Sequence, residues 1–292
     1  MTNNKILVTG GAGFIGSHLC EQLIKNGHNQ VTSLDNYSTG TIENHIMGVN
    51  YIKGSTNNIE SLIDFKPDII YHLGEYSRVE QSFIDIKKVL NFNIKGTLSV
   101  LEYVRKINCK LVYAGSSTKF GDNGLGKNSS PYAWSKASNT ELVKNYGVWF
   151  NINYAITYFY NVYGLREIKS GKYSTLIALF KEKMRKKEKL TVVSPGTQKR
   201  NFTHIDDIIS ALILVGEKGY GDEFGIGSPE PYTINDIAKL FGGEIKILPE
   251  RKGNRMNAEV LSDKTIELGW YPKKNLKDYI DQLRKNGWKD SL

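Results

Sequence analysis

Short apolar runs alternate with amphipathic stretches through the first half of the chain. The runs KILVTG, QVTSLD, DIIYHL and CKLVYAG are typical of buried strands, and helical patterns lie at Phe14 to Asn26 and within residues 83–107. In the first helical stretch Ile15, Leu19 and Leu23 recur every four residues and form one apolar stripe. Strands that alternate with helices predict parallel βαβ units, and therefore an α/β fold with a doubly wound sheet.

The pattern changes after a further strand near NYAITYF. Shorter elements are predicted around residues 174–186, 205–217, 233–241 and 276–285. The change predicts a first domain over residues 1–161 and a smaller C-terminal lobe over residues 162–292. Because neither an internal repeat nor a flexible linker separates them, we expect one folding unit with a cleft between the lobes.

The composition is that of an ordinary globular protein. The chain has 292 residues, of which 40% are hydrophobic, enough to bury a full core. We expect a cytoplasmic protein, because the sequence has neither an apolar run of roughly 18–20 residues nor a leader pattern at its start. Cys20 and Cys109 have apolar neighbours, and we expect both to be buried, reduced packing residues rather than a disulfide or metal site.

The net charge of +9 raises the possibility of a nucleic-acid partner. The charge is mostly spread out, however, and the densest run, Lys181 to Lys189, contains two Glu at the end of a helical pattern. That run is typical of a solvated helix face. We therefore expect no nucleic-acid or membrane partner, and we expect the positive charge to attract an anionic small-molecule substrate.

A glycine-rich turn lies where the first strand meets the first helix. In the string GGAGFIG, Gly10, Gly13 and Gly16 are three residues apart, which permits a tight turn and close approach of a pyrophosphate at the helix N-terminus. The second strand ends at Asp35, about 20 residues beyond Gly16, where a carboxylate binds the ribose hydroxyls and repels a 2′-phosphate. The spacing predicts a Rossmann site for NAD rather than NADP.

A tyrosine and a lysine share one face of a later helix. Tyr132 and Lys136 are four residues apart, directly after Pro131, a residue suited to the first turn of a helix. Free tyrosine has a pKa of about 10, but an ammonium and the positive nicotinamide ring stabilise its phenolate. We predict that Tyr132 is the base that accepts a hydroxyl proton and that Lys136 also holds the nicotinamide ribose. The alternative is a packed aromatic beside an exposed lysine.

Together these motifs resemble the extended short-chain dehydrogenase/reductase family, in its nucleotide-sugar epimerase/dehydratase branch. DNYSTG resembles the loop after the second strand of 4-epimerases, HLGEYSRVEQS resembles the HLAA segment that lines the nicotinamide, and GSSTKFG resembles a segment that ends in Tyr-Gly. The resemblance implies that Ser116 is the catalytic hydroxyl, which hydrogen-bonds the reacting oxygen. It also implies cofactor contacts at Phe14, Ile15, Asn36, Ser38 and Leu73, and substrate contacts at Ser77 and Arg78.

The second half of the chain resembles the substrate half of the same family. YFYNVYG resembles FNVYG and implies that Asn161 contacts the diphosphate side, while QKRNFTHIDD and RKGN point to Arg200 and Arg251 as diphosphate ligands. The alternative is that either arginine is a surface charge. The family further implies a UDP- or GDP-linked sugar bound mainly by residues 162–292, and a homodimer joined through helices near residues 84–107 and 131–149.

Four departures from the family pattern concern the pocket. Gly54–Thr56 stands where many members place an Asp for the adenine, Tyr158 stands where many have Arg, and Glu75 replaces a small residue beside the cofactor. The loop from Gly121 to Tyr132 is shorter than usual. Since that loop borders the sugar in the family, we expect a more open pocket, suited to a sugar larger than a hexose.

The reaction is narrowed by the residues after Ser116. The 4,6-dehydratases of this branch carry an Asp-Glu pair there, as acid and base, whereas this chain has Ser117 and Thr118. We therefore expect hydride removal from C4 to NAD, followed by its return in a 4-epimerase or by release of the 4-keto sugar in a 4-dehydrogenase. GSSTKFG and the short loop resemble members that oxidise GDP-manno-heptose. The alternatives are a 4,6-dehydratase and a non-catalytic NAD-binding sensor, which usually lacks the Tyr-Lys pair.

Overall fold

The computed structural model describes residues 4–28, 30–122, 124–169, 171–250, 256 and 260–290. Its strands are β1 (Lys5–Thr9), β2 (Gln30–Asp35), β3 (Val49–Lys53), β4 (Ile69–His72), β5 (Lys110–Ser116), β6 (Tyr154–Phe159), β7 (Val162–Tyr163), β8 (Leu190–Val193), β9 (Lys199–Asn201), β10 (Thr203–His204), β11 (Gly221–Ile226), β12 (Pro231–Thr233) and β13 (Ile245–Leu248). Its α-helices are α1 (Phe14–Lys25), α2 (Ile59–Leu62), α3 (Val79–Ser82), α4 (Ile86–Val89), α5 (Gly96–Ile107), α6 (Pro131–Phe150), α7 (Leu176–Arg185), α8 (Ile205–Lys218), α9 (Ile234–Phe241), α10 (Asp263–Glu267) and α11 (Leu276–Lys285).

The central sheet of the described chain has seven parallel strands in the order β11-β6-β5-β4-β1-β2-β3. Successive side chains of a strand face opposite sides of a sheet, so a strand covered on both faces is apolar throughout. In β1, Leu7 packs into one hydrophobic cluster, and Ile6 and Val8 pack into the cluster on the other face. The predicted Rossmann fold with a doubly wound parallel sheet is confirmed.

Helix α1 packs its predicted apolar stripe beneath the sheet. Leu19 and Leu23 are buried, and Ile15 is half-buried against the same cluster, which also contains Ile208 and Leu212 of α8. Because the helix is fixed along its length, its N-terminus is held at the carboxyl end of β1. That is where the glycine-rich turn lies.

The long helix predicted within residues 83–107 is interrupted by a wider turn. Residues Leu90–Lys95 form a π-helical segment between α4 and α5. Within it, buried Asn93 exchanges hydrogen bonds with the backbone of Tyr76 (2.7 and 3.1 Å) and donates one to Ser135 Oγ in α6 (2.9 Å). Such π segments often occur at functional sites. Here the segment fixes the loop after β4 against α6.

The smaller lobe is built around α7, α9 and α11. These helices share one hydrophobic cluster with β8, which pairs with β13. The chain also returns from this lobe to the central sheet, since β11 pairs with β6. The division into residues 1–161 and 162–292 stays a prediction.

The helix face that contains the run Lys181 to Lys189 was expected to be solvated. That prediction is wrong for Lys181 itself, whose side chain is buried and donates to both carboxylate oxygens of Asp290 (2.7 and 2.9 Å).

Two further features bear on the expectations from sequence. Cys20 and Cys109 are both buried and form no disulfide within the described segments. Burial raises the pKa of each thiol to about 12, so both remain protonated packing residues. Among the helices that the structure describes, none combines the length and hydropathy that crossing a bilayer requires.

Candidate active site

A cavity of about 650 Å³ opens at the carboxyl edge of the sheet and is also lined by residues of α7 and β8. This edge is where doubly wound sheets bind their ligands. Nearly every residue singled out from the sequence lines the cavity: Gly10, Gly13, Phe14, Ile15, Gly16, Asp35, Asn36, Ser38, Leu73, Ser77, Arg78, Ser116, Tyr132, Lys136, Asn161 and Arg200. Arg251 lies outside the described residues. The structure therefore brings widely separated segments of the chain into one site.

Two glycines of the turn, Gly10 and Gly16, leave no room for a side chain. Gly10 has φ +75°, and a Cβ atom built on it would lie 2.9 Å from the Cα of Gly74. A Cβ on Gly16 would lie 2.1 Å from the carbonyl oxygen of Gly10. The turn leads directly into α1, which begins at Phe14. Backbone N–H groups and the positive end of the helix dipole therefore face a space that suits a dinucleotide pyrophosphate.

Asp35 ends β2 beside this turn and is fixed by the backbone. Its Oδ2 accepts from the N–H of Ala12 (2.9 Å), and its Oδ1 accepts from the N–H of Tyr37 (2.8 Å). Burial raises the pKa of Asp35 above its ordinary value, and the two N–H donors oppose that rise. Each carboxylate oxygen keeps a further lone pair for a ribose hydroxyl. The residues present thus fit the adenosine half of NAD.

Tyr132 and Lys136 lie in the first turns of α6. The helix starts as the sequence predicts, with Pro131 at its first position and the Ser130 side chain accepting from the Ala133 N–H. The tyrosine hydroxyl lies 3.2 Å from Ser116 Oγ at the end of β5. The Ser116 oxygen is also 2.9 Å from the hydroxyl oxygen of Thr118. Two elements therefore present adjacent hydroxyls to the same point of the cavity.

Lys136 is buried and paired with a carboxylate. Its side chain is 5% exposed, and its ammonium donates to Glu75 and to the carbonyl oxygen of Ala114. The ammonium also lies 4.4 Å from the ring centroid of Tyr113. Burial lowers the pKa of Lys136, and the Glu75 carboxylate counteracts that change. The alternative of an exposed lysine on a packed helix is excluded by this burial.

The predicted substrate residues that the structure describes line the same cavity. Asn161 donates to the carbonyl oxygen of Asn201 (3.0 Å), and Arg200 donates to the carbonyl oxygen of Lys199 (2.7 Å). Arg78 instead donates through Nε (2.8 Å) and a terminal nitrogen (2.5 Å) to the carbonyl oxygen of Tyr173. Arg78 therefore fastens the segment around Tyr173 beside the pocket.

The structure explains the positions of Tyr158 and Glu167, whose roles the sequence did not reveal. Tyr158 is fully buried, donates to Asp222 Oδ1 (2.6 Å) and packs beneath Gly115, where a Cβ would lie 2.7 Å from its ring. It supports the strand end that carries Ser116. Glu167 is buried, accepts from the Gly164 N–H (3.0 Å) and the Thr175 hydroxyl (2.5 Å), and lines the cavity; burial raises its pKa to about 7. Glu167 carries no motif, which is why sequence analysis passed over it.

A dinucleotide cradle beside a serine, tyrosine and lysine defines a Rossmann-fold oxidoreductase of the extended short-chain dehydrogenase/reductase class. Residues 6–227 match the model of the NAD dependent epimerase/dehydratase family. The chain belongs to that family, and its cofactor is NAD, as the glycine turn and Asp35 predicted.

Known relatives and structures agree with this family. UDP-glucuronic acid decarboxylase 3 of Arabidopsis thaliana is 28% identical over 97% of this chain and 89% of its own length. A Thermotoga maritima UDP-glucose 4-epimerase, solved with UDP-glucose, is 29% identical with a TM-score of 0.89 over 97% of this chain and 99% of its own. A Thermus thermophilus UDP-glucose 4-epimerase, solved with NAD, is 26% identical with a TM-score of 0.90 over 99% of this chain and 100% of its own. The named relatives catalyse different reactions, so similarity to them does not identify the reaction of this chain.

Proposed function

We propose that this enzyme removes hydride from C4 of a nucleotide-diphosphate sugar, and acts as a 4-epimerase or as a 4-dehydrogenase that releases the 4-keto sugar. The observation that carries the proposal is the 3.2 Å contact between the Tyr132 hydroxyl and Ser116 Oγ, with the buried Lys136 four residues further along α6. A sugar hydroxyl that contacts both oxygens can lose its proton to Tyr132. NAD supplies the hydride acceptor when it is bound.

The three side chains have separate roles in this proposal. Ser116 donates to the reacting sugar oxygen and holds it near the base. Tyr132 accepts the hydroxyl proton as the C–H bond breaks. Lys136 stabilises the tyrosine phenolate electrostatically, because a positive charge nearby favours the charged form of an acid.

Dehydration is disfavoured by the residues that follow Ser116. Elimination of water across C5 and C6 requires an acid and a base at the sugar. Ser117 is buried, and the Thr118 hydroxyl lies 2.9 Å from Ser116 Oγ. Neither hydroxyl titrates near neutral pH, so neither replaces an Asp-Glu pair.

The substrate is proposed from the charge and shape of the second lobe. Arg200 lines the cavity and suits a diphosphate, since its guanidinium donates paired hydrogen bonds. We assign Asn161, and Arg251 beyond the described residues, to the same diphosphate. The short loop between Gly121 and Tyr132 leaves room for a sugar larger than a hexose, and GDP-manno-heptose is our first candidate, with UDP-linked hexoses as the comparison.

Isotope labelling tests the reaction and separates its outcomes. Sugar nucleotide deuterated at C4 is expected to transfer its label to the cofactor, while a C5 or C6 label stays in place. In an epimerase the label returns to C4 and the product mass is unchanged; in a dehydrogenase the label remains on the reduced cofactor, the sugar loses two hydrogens, and a second oxidant must restore NAD. Mass spectrometry of UDP- and GDP-linked hexoses and heptoses measures this. A product lighter by one water would contradict the argument from Ser117 and Thr118.

We also propose a homodimer joined by a four-helix interface. Apolar side chains remain exposed on α4 and α5, at Ile86 (47%) and Leu98 (42%), and at the end of α6, at Val148 (82%) and Trp149 (59%). Exposed apolar side chains on neighbouring helices are typical of a protein interface. Light scattering at micromolar concentration is expected to give twice the chain mass of 32.9 kDa. Trp149→Asp should give monomers, whereas Tyr271→Asp, at another exposed aromatic, should not; a monomeric wild-type protein would refute the proposal.

A further inference from the structure

Glu75 places a carboxylate with little solvent exposure in the lining of the active site. Its side chain is 4% exposed and lines the cavity between the glycine turn and α6. One oxygen accepts from the ammonium of Lys136. The other accepts from Thr97 Oγ1 (3.0 Å), Tyr113 OH (3.2 Å) and Asn139 Nδ2 (2.9 Å). In all four contacts the carboxylate accepts, so donors surround both of its oxygens.

The proton positions around Glu75 follow from these contacts. Thr97 uses its single hydroxyl hydrogen toward Glu75, so its contact with His72 Nε2 (3.0 Å) must be one in which the histidine donates. His72 Nδ1 then accepts from the hydroxyl of Thr9 (2.7 Å). Burial lowers the pKa of His72 to about 4, which keeps the imidazole neutral, as this order of donors requires.

The same chain of hydrogen bonds reaches the cofactor loop. Thr9 Oγ1 accepts from the N–H groups of Leu73 (3.1 Å) and Gly74 (2.9 Å), and Gly74 is the residue against which Gly10 packs. Thr9, His72 and Thr97 are all fully buried. A continuous, directed set of hydrogen bonds therefore joins the glycine turn to the lysine of the catalytic trio.

Lys136 depends on this carboxylate for its charge. An ammonium has three N–H bonds, of which Glu75 and the Ala114 carbonyl take two, so one remains for a cofactor ribose hydroxyl. Removal of a lysine from water favours its neutral form. A small residue at position 75 would leave the buried ammonium without a counter-charge.

We propose that Glu75 is a positioning residue: its carboxylate keeps Lys136 charged and aims its remaining N–H at the nicotinamide ribose. The proposal builds on the proposed role of Lys136, but it concerns NAD binding and does not require that the sugar be oxidised at C4. Glu75 and Lys136 then act as one unit in place of a lone lysine.

The other groups that face Lys136 cannot replace Glu75. His72 of β4 is neutral, and as a cation it would repel the ammonium of Lys136 rather than stabilise it. Tyr113 of β5 has its pKa raised well above the ordinary value by burial and is therefore uncharged. Thr97 and Asn139 are uncharged. Tyr132 of α6 is the group whose phenolate Lys136 is proposed to stabilise, so it cannot act as a permanent counter-charge.

The test is the pH dependence of NAD affinity in Glu75→Gln. In the wild type we expect affinity to stay level between about pH 6 and pH 9, because Lys136 remains charged. In Glu75→Gln the counter-charge is lost and the pKa of Lys136 falls, so the ammonium is lost as pH rises and NAD binding weakens with it. Loss of one charge-assisted hydrogen bond corresponds to roughly 10- to 100-fold weaker binding at the alkaline end. Calorimetric titration with NAD, without any sugar, measures the effect.

Two variants keep the result specific. Glu75→Asp retains the charge and should restore a level pH profile even where affinity is reduced. Glu60→Gln removes one charge from an exposed pair with Lys106 and should match the wild type. A purely structural role would weaken Glu75→Gln equally at every pH. That result, or wild-type affinity across the range, would overturn the proposal.

A double-mutant cycle covers the case in which Glu75→Gln folds poorly. Lys136→Met leaves Glu75 buried and unpaired, and Glu75→Gln does the same to Lys136, whereas the double variant removes both charges. We expect the double variant to unfold at a higher denaturant concentration than either single variant. Strictly additive effects would show that the two residues are not coupled and would refute the proposal.

Discussion

Replacement of Tyr132 by Phe should lower the rate of hydride transfer by about 10² to 10⁴, the contribution typical of a general base. The ring, its packing and the start of α6 are all retained, while the 3.2 Å hydrogen bond from the hydroxyl to Ser116 Oγ is removed. Such a bond contributes about 1 kcal/mol to stability, so the fold and NAD binding should persist. Near-ultraviolet absorbance of NADH after mixing with sugar nucleotide measures the rate.

A control variant shows whether the rate falls because the base is lost or because any tyrosine hydroxyl is removed. Tyr220 is 65% exposed and lies outside the cavity lining, so Tyr220→Phe should react at the wild-type rate. Near-normal turnover in Tyr132→Phe, with NAD bound, would mean that another group takes the proton. The assignment of Tyr132 would then be wrong.

Replacement of Gly16 by Ala should weaken NAD binding about 100-fold or more. The new methyl carbon would lie 2.1 Å from the carbonyl oxygen of Gly10 and 2.8 Å from the Cα of Gly11, both backbone atoms that a side-chain rotation cannot move. The turn must therefore shift away from the pyrophosphate. Loss of two charge-assisted hydrogen bonds, at about 1.5 kcal/mol each, gives that factor.

The control for this variant is a glycine with open space around it. Gly242 follows α9, outside the cavity lining, and a Cβ there would meet nothing within 4 Å, although its φ of +77° makes any side chain unfavourable. Gly242→Ala should therefore lower stability by about 1 kcal/mol and leave NAD affinity unchanged. Wild-type affinity in Gly16→Ala, measured by calorimetry, would contradict the assigned pyrophosphate position.

The sequence alone predicted the buried strands and the start of α6, because neighbouring residues in the sequence determine both. The alternation of apolar runs predicted β1, β2, β4 and β5 because each is covered on both faces, and Pro131 marked the start of α6 because few residues suit that position better. The cavity lies at the carboxyl edge because parallel strands direct their ends to one side of the sheet.

The parts that sequence analysis did not find depend on contacts between distant residues. Strand β3 is only half-buried, and β11 contains two glycines, so neither has a strong apolar run. Each is a strand because a neighbour in the sheet supplies its hydrogen bonds. Glu75 was noticed as a departure, but its role appears only when Lys136, 61 positions later, is folded against it.

The return of the chain to the sheet at β11 affects how the protein can be dissected. Strand β6 pairs with β5 on one side and with β11 on the other, and Ala155, Val215 and Phe224 pack together beneath that second junction. A chain cut after residue 161 would bare the main-chain donors and acceptors of β6 together with this apolar patch, which is the kind of edge that recruits another strand. The C-terminal part of the chain thus completes the central sheet, and residues 1–161 cannot be excised as a fragment with that sheet edge intact.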